Sequence, residues 1–80
     1  MSLGDRLKRE RVRHGWSQNE LSRLSGVRQA LISELESGKK QDTTGLVLKR
    51  LARTLGVTMD YLAGMYEEEE EEKSIQAIVG

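Results

Sequence analysis

The chain has 80 residues, enough for one small domain, and it contains no cysteine, which excludes disulfides and thiolate metal sites. No apolar run is long enough to span a membrane and no signal-peptide pattern opens the sequence, so we expect a soluble cytoplasmic protein. The net charge of zero conceals an asymmetry, because residues 1–66 carry 12 Lys and Arg against 7 Asp and Glu, whereas residues 67–80 carry six Glu and one Lys. A basic body favours a polyanionic partner, although a surplus of five positive charges also occurs on ordinary protein surfaces.

The first predicted helix spans Gly4–His14 and ends at Gly15. We expect Leu7 and Val12 to supply its apolar contacts. Trp16 follows at the junction with the next helix. Packing in the core is the commoner role for a single tryptophan at such a junction, and stacking on a base is the alternative.

The stretch Ser17–Gly38 is the most informative part of the sequence, and it opens with a second predicted helix. Ser17 and Glu20 have the spacing of a capping box, which satisfies backbone N–H groups at a helix start. Leu21 and Leu24 lie on one face of this helix. The pattern predicts a short amphipathic helix.

A glycine turn and a third helix complete this stretch. Gly26 can adopt the left-handed conformation that a tight turn needs. The third helix is predicted from about Arg28 to Ser37, with Ile32 and Leu35 buried and Gly38 just past its end. The two helices together are typical of a unit that places its second helix in a DNA groove.

Two more helices follow a polar loop at 39–42. Thr43 or Thr44 is expected to cap the fourth helix, which stops at Gly56. Its apolar residues at helical spacing are Val47, Leu48, Leu51, Ala52 and Leu55. A fifth short helix, Met59–Ala63, is expected to begin at the cap Thr58, to turn Tyr61 and Leu62 inward, and to end at Gly64. These elements predict an all-helical domain.

The composition changes after Tyr66, where six consecutive glutamates, residues 67–72, precede an apolar group at Ile75, Ile78 and Val79. We place a domain at residues 3–64 and an acidic tail at 65–80. Repulsion between like charges favours a disordered tail. The apolar end leaves two alternatives open, a dimerisation element or a longer protein from which this chain is cut.

The sequence resembles the lambda-repressor-like (Cro/Xre-type) helix-turn-helix DNA-binding family. The matching residues are Gln18, Leu21, Ser22, Gly26, Val27, Ile32, Leu35, Glu36 and Gly38. One glycine turn is weak evidence because two-helix turns are common, whereas nine positions in register with flanking helices are specific. The resemblance covers residues 3–64 and implies an all-α, five-helix domain of bacterial or phage type.

The face of the third helix opposite Ile32 and Leu35 holds the candidate base readers. The amide of Gln29 can pair with adenine N6 and N7, and the family commonly has a polar reader at this position. Arg28 suits guanine or a phosphate, while Glu34 can accept from cytosine but repels phosphate. The alternative for each residue is plain exposed surface. The candidates are Arg28, Gln29, Ala30, Ser33 and Glu34.

Phosphate contacts are expected at helix starts and in the loop after the third helix. In the family, the position of Gln18 bonds a phosphate and supports the reader, although a simple capping role is the alternative. The lysines after the third helix either lie beside the DNA backbone or only complement the helix dipole. The candidates are Gln18, Asn19, Lys39, Lys40, Thr43 and Thr44.

The resemblance also implies a structural ion pair between Arg11 and Glu36 that fixes the angle between helices. Two features depart from the family pattern. Leu31 stands where a small polar residue is usual, so it either packs against a neighbouring helix or lies exposed beside the DNA. The loop before the fourth helix lacks the proline that is frequent in the family.

The resemblance implies a sequence-specific, double-stranded DNA-binding transcription regulator, a repressor acting as a homodimer on a palindromic operator. The dimer interface is expected at Val57, Met59, Tyr61 and Met65. The alternative is a protein-interaction module of the same fold, favoured by Glu34 on the reading face and by the tail as a possible protein-binding segment. The glutamates of the tail could also cover the basic reading face as an autoinhibitor.

Catalysis finds no support in the sequence. His14, the single histidine, has no serine or cysteine partner at motif spacing, and no group of residues has metal-ligand spacing. No glycine-rich phosphate loop is present. We therefore expect no enzymatic activity, no cofactor and no metal.

Overall fold

The computed structural model describes residues 1–64, and five helices lie in that part of the chain. They are α1 (Leu3–Arg13), α2 (Gln18–Ser25), α3 (Gln29–Ser37), α4 (Gly45–Leu55) and α5 (Met59–Ala63). The predicted all-α, five-helix architecture is confirmed. The predictions for the tail at 65–80 lie outside the described residues.

Hydroxyl side chains cap four of these five helices. The hydroxyls of Ser2 and Ser17 accept the backbone N–H three residues on, and each completes a capping box with an acidic partner. Thr44, not Thr43, caps α4, and Thr58 caps α5 as predicted. Each such cap stabilises its helix by about 1 kcal/mol.

The capping box of α1 was not predicted. Asp5 accepts the backbone N–H of Ser2, and the Ser2 hydroxyl accepts from the Asp5 backbone. The bonds from the backbone and side chain of Ser2 lower the pKa of the Asp5 carboxyl, since they favour its charged form. The helix therefore starts one residue earlier than the sequence indicates.

The core is aliphatic and draws on every helix. Its buried members are Leu3, Leu7, Leu21, Val27, Ile32, Leu35, Leu51, Ala52, Leu55 and Leu62. The prediction that Val12 contributes is wrong, because this side chain is 58% exposed. Val12 lies about 140° around the helix from Leu7, on the opposite side from the packed face. Leu24 is also more exposed than its helical position suggests.

Two charged residues of α1, Arg6 and Glu10, are buried, and the sequence analysis did not predict this. The hydroxyl of Tyr61 donates to Glu10 Oε2 over 3.0 Å. The Arg6 guanidinium donates to the Met1 carbonyl. These contacts connect α1 with α5 and with the start of the chain, so α1 packs through polar as well as apolar side chains.

Trp16 packs against the core at the junction of α1 and α2, as predicted. Its ring stacks on His14 with a centroid distance of 4.3 Å and an interplanar angle of 12°. His14 Nε2 lies 2.8 Å from the carbonyl oxygen of Leu55. Because a carbonyl only accepts, Nε2 carries the proton in this contact. His14 thus ties the end of α1 to the end of α4.

Gly4 brings the first turn of α1 against the backbone of α3. A Cβ atom at Gly4 would lie 2.0 Å from the carbonyl oxygen of Leu35 and 3.3 Å from Glu36 Cα. No side chain larger than hydrogen fits between the two helices at this point. The contact fixes where the C-terminal end of α3 lies.

Candidate nucleic-acid interface

Two serine hydroxyls hold the turn between α2 and α3. Gly26 adopts the left-handed conformation, with φ of 74°, as predicted. The Ser22 hydroxyl donates to the carbonyl of Val27 over 2.6 Å, and Ser25 Oγ accepts from the Val27 backbone N–H over 3.2 Å. Val27 itself is buried. The angle between α2 and α3 therefore rests on specific bonds as well as on apolar packing.

Helix α3 separates buried from exposed residues as its spacing predicts. Ile32 and Leu35 are buried against the core. Arg28, Gln29 and Ala30 are exposed at the start of the helix. Three of the five predicted base readers thus form a continuous exposed edge.

Ser33 and Glu34, the other two predicted readers, are half-buried. Glu34 carboxylate oxygens lie 3.7 Å from Lys40 Nζ and 4.0 Å from Lys39 Nζ. The two lysines predicted to contact phosphate therefore lie beside Glu34. They compensate its negative charge and leave this end of the face net positive.

The N-terminus of α3 differs from the other four described helix starts. Arg28 is its N-cap residue and makes no side-chain cap hydrogen bond. The N–H groups of Leu31 and Ile32 both donate to the Arg28 carbonyl. The N–H groups of Gln29 and Ala30, like those of the first two residues of the other described helices, have no acceptor within residues 1–64. Open N–H groups and the positive end of the helix dipole favour an anion here.

The predicted ion pair between Arg11 and Glu36 is present and bidentate. Arg11 Nε lies 2.7 Å from Glu36 Oε2, and Nη2 lies 2.9 Å from Oε1. Arg11 Nη1 also donates to the carbonyl of Trp16 over 2.7 Å. The hydrogen bond to Glu36 raises the pKa of Arg11, against the opposing effect of burial. The pair joins α1 to α3.

Gln18 lies in the first turn of α2, and its amide nitrogen donates to Glu36 Oε1 over 3.1 Å. In residues 1–64 it makes no hydrogen bond with Gln29, and its expected support of the reader stays a prediction. Asn19 is exposed beside it. The second N–H of the Gln18 amide and the Asn19 side chain are the groups that this turn offers to a phosphate.

The two threonines before α4 have different roles. Thr44 Oγ1 accepts the backbone N–H of Val47 as a cap, which leaves its hydroxyl hydrogen to donate. The Thr43 backbone N–H donates to Asp42 Oδ1 over 2.8 Å. Asp42 places a negative charge in the loop, so Thr43 is the weaker of the two predicted phosphate contacts.

Of the three described residues that were predicted at a dimer interface, two make contacts within the chain. Val57 packs against the core, and the Tyr61 hydroxyl bonds to Glu10. Met59 is 36% exposed, and Met65 lies outside the described residues. Of the four, Met59 is the apolar side chain that the described part leaves on the surface.

Leu31 is half-buried and packs against the core beside Val47. Its departure from the family pattern is therefore accommodated by packing. Across residues 1–64, no group of three or more His, Asp or Glu side chains is placed to hold a metal ion. None of the helices there is long and apolar enough to cross a membrane.

The family comparison agrees with this geometry. Residues 7–62, which include the ion pair, the glycine turn and all of α2, α3 and α4, match the helix-turn-helix family of the Cro/C1 type. The match covers more than half of the chain. The chain therefore belongs to the Cro/C1-type helix-turn-helix family of DNA-binding regulators.

Proposed function

We propose that this protein is a sequence-specific transcriptional repressor that binds duplex DNA as a homodimer on a palindromic operator. The observation that carries the proposal is the exposed edge Arg28–Ala30 at the uncapped start of α3. In a helix-turn-helix this end of the second helix meets base edges in the major groove. A dimer bound at a promoter would repress transcription by blocking access of the polymerase.

Each exposed residue of this edge has a distinct task. The Gln29 amide reads adenine through paired hydrogen bonds, and the Ala30 methyl meets a thymine methyl. The Arg28 guanidinium bonds guanine or a phosphate. Ser33 and Glu34 are half-buried and follow as secondary contacts.

Phosphate contacts flank the reading edge. Gln18 and Asn19 approach the backbone from the start of α2, and the Thr44 hydroxyl approaches from the start of α4. Lys39 and Lys40 supply the positive charge beyond Glu34. These contacts position the reader without specifying sequence.

A homodimer suits the small size of the reading edge, because one such domain contacts few base pairs. Two copies on half-sites about 34 Å apart double the readout. Met59 is the described residue that we assign to the dimer surface. A Met59→Arg substitution is expected to shift the protein toward monomer in sedimentation, with the helical content unchanged.

The rival proposal is a protein-interaction module of the same fold with little DNA binding, and of its two supporting features, Glu34 and the tail, the first is weakened. Its argument from the reading face depends on an unpaired acidic residue, but Glu34 lies beside Lys39 and Lys40. The edge at Arg28 carries no compensating carboxylate within residues 1–64. The charge of the face therefore favours DNA.

Selection of binding sites from random duplex DNA tests the proposed function, using the unmodified protein, Gln29→Ala and Gln41→Ala at two salt concentrations. We expect a two-fold symmetric site, relaxed at one position per half-site by Gln29→Ala at a cost of about 1–3 kcal/mol. Gln41→Ala removes the same side chain from the loop and should change no base preference. Binding that depends only on salt, with no enriched sequence, would contradict the proposal.

A further inference from the structure

An apolar depression lies between the start of α3 and the start of α4. Leu46 is 61% exposed there, next to the half-buried side chains of Leu31 and Val47 and the buried Val27. The depression has a volume of about 220 Å³, which is room for an aliphatic side chain. An exposed leucine beside a reading helix marks a surface that another group can cover.

The outer face of α4 continues this depression as a basic stripe. Lys49, Arg50 and Arg53 follow Leu46 at helical spacing and are exposed. No carboxylate of residues 1–64 lies within 4.0 Å of these three side chains. Arg50 also reaches the turn between α2 and α3, since its Nη1 lies 3.4 Å from the Cβ position of Gly26. The surface is apolar at one end, basic along its length, and borders the reading edge.

Residues 67–80 of the same chain have the complementary pattern. Six glutamates at 67–72 are followed by Ile75, Ile78 and Val79. Ten residues lie between Gly64 and Ile75, and the eleven Cα-to-Cα steps span up to about 36 Å, whereas α4 is about 16 Å long. The segment is therefore long enough to reach Leu46 from the end of α5.

We propose that residues 67–80 dock on this α3–α4 surface, with the glutamates along the basic stripe and the aliphatic end over Leu46. The docked segment covers Arg28 and the start of α3, and so competes with DNA phosphate. The inhibitory consequence rests on the proposed DNA-binding function. The docking itself does not.

A second apolar groove, lined by Leu3, Leu48 and Ala63, lies nearer to the point where the chain leaves α5. Its charged lining consists of Lys40 and Asp42, which offset one another. This groove therefore lacks the positive charge that would attract the six glutamates of residues 67–72. Charge complementarity selects the α3–α4 surface instead.

Paramagnetic broadening in NMR spectra of the full chain tests the docking without DNA. The chain has no cysteine, so Gly80→Cys provides a single attachment point for a nitroxide. We expect broadened amide signals at Leu31, Leu46 and Val47. Broadening centred on Leu3 and Leu48, or absent from residues 1–64, would overturn the proposal. So would broadening seen only between labelled and isotope-enriched copies, which would show a second copy on this surface.

Matched variants identify the contacts. The triple substitution Ile75→Ser, Ile78→Ser, Val79→Ser keeps the net charge and should abolish the broadening, as should Leu46→Ser. Leu24→Ser changes an exposed leucine of α2 that does not line the depression, and it should leave the broadening intact. Equal effects of Leu46→Ser and Leu24→Ser would overturn the assignment of the surface.

Fluorescence anisotropy on a nonspecific duplex at low salt tests the inhibition. Because docking is intramolecular, the triple serine variant should bind on the order of tenfold more tightly than the unmodified chain. The difference should shrink as salt rises. Equal affinities would overturn the inhibitory role. Failure of every variant to bind DNA, with the broadening present, would refute the proposed function and leave the docking standing.

Discussion

The two ends of α3 are built differently. At its C-terminal end, Glu36 accepts from Arg11 and Gln18, and the Leu35 carbonyl lies against Gly4. At its N-terminal end, Arg28 provides no side-chain cap. Side chains of α1 and α2 therefore bond directly to the C-terminal end of α3, whereas the N-terminal end is held through the turn at Val27 and its first residues keep their side chains exposed.

The largest expected loss of stability comes from a substitution that acts on the C-terminal end of α3. Gly4→Ala places a methyl group on the backbone of α3, and since backbone cannot give way like a side chain, we expect a loss of about 3 kcal/mol or more in the free energy of unfolding. Urea denaturation measures it. Gly45→Ala is the matched control, because a Cβ there meets nothing within 4 Å and the substitution should be neutral or slightly stabilising. Similar losses in both variants would contradict the close-approach argument.

Arg11→Ala is expected to give the next largest loss in the free energy of unfolding. It strands the Glu36 carboxylate, whose side chain is 4% exposed, and we expect a loss of about 2–3 kcal/mol. The loss is moderated because Gln18 still donates to Glu36. Arg13→Ala removes an arginine that is 70% exposed and should cost at most about 0.5 kcal/mol in the same denaturation experiment. Equal costs would mean that the bidentate pair does not hold α3.

Arg28→Asn acts at the open end. Asparagine is a favoured N-cap, so we expect a gain of about 1 kcal/mol in stability, measured by thermal unfolding. The same substitution removes a positive group from the reading edge, and DNA affinity should fall. A variant that gains stability and keeps its affinity would show that the open helix start has no role in binding.

Asp5→Asn is expected to have the smallest effect on stability. It tests a helix start that has a side-chain cap, in contrast to the start of α3. The folded-state pKa of Asp5 lies below its ordinary value of 3.8, so its stabilising effect is present above that value and is lost as pH falls through the folded pKa. The melting temperature of the variant should therefore be lower than that of the unmodified chain at neutral pH and converge with it in acid. A difference that is unchanged in acid would contradict the capping-box assignment.

Local sequence signals were sufficient for much of the fold. The capping pair Ser17 and Glu20 and the turn at Gly26 each depend on residues close in sequence, and they lie where predicted. The prediction for Val12 was wrong because the five-residue spacing from Leu7 places the two side chains about 140° apart on the helix. The close approach at Gly4 has no local signal, since it depends on the backbone of a helix about thirty residues away.

The candidate site was predictable in position but not in electrostatics. The motif placed Gln29 on the exposed edge of α3. The pairing of Lys39 and Lys40 with Glu34 depends on the path of the chain after Gly38, which the sequence does not specify. The burial of Arg6 and Glu10 likewise requires the position of α5.

The exposed edge Arg28–Ala30 is decoupled from the contacts that maintain the fold. None of these three side chains makes a hydrogen bond or ion pair within residues 1–64. Substitutions at Gln29 and Ala30 should therefore leave the stability of the domain nearly constant, whereas Arg28 is the N-cap residue and its replacement changes the stability by about 1 kcal/mol. Under the proposed function, the recognised DNA sequence can therefore change through these adjacent positions without a new scaffold, and a designer can follow the same route.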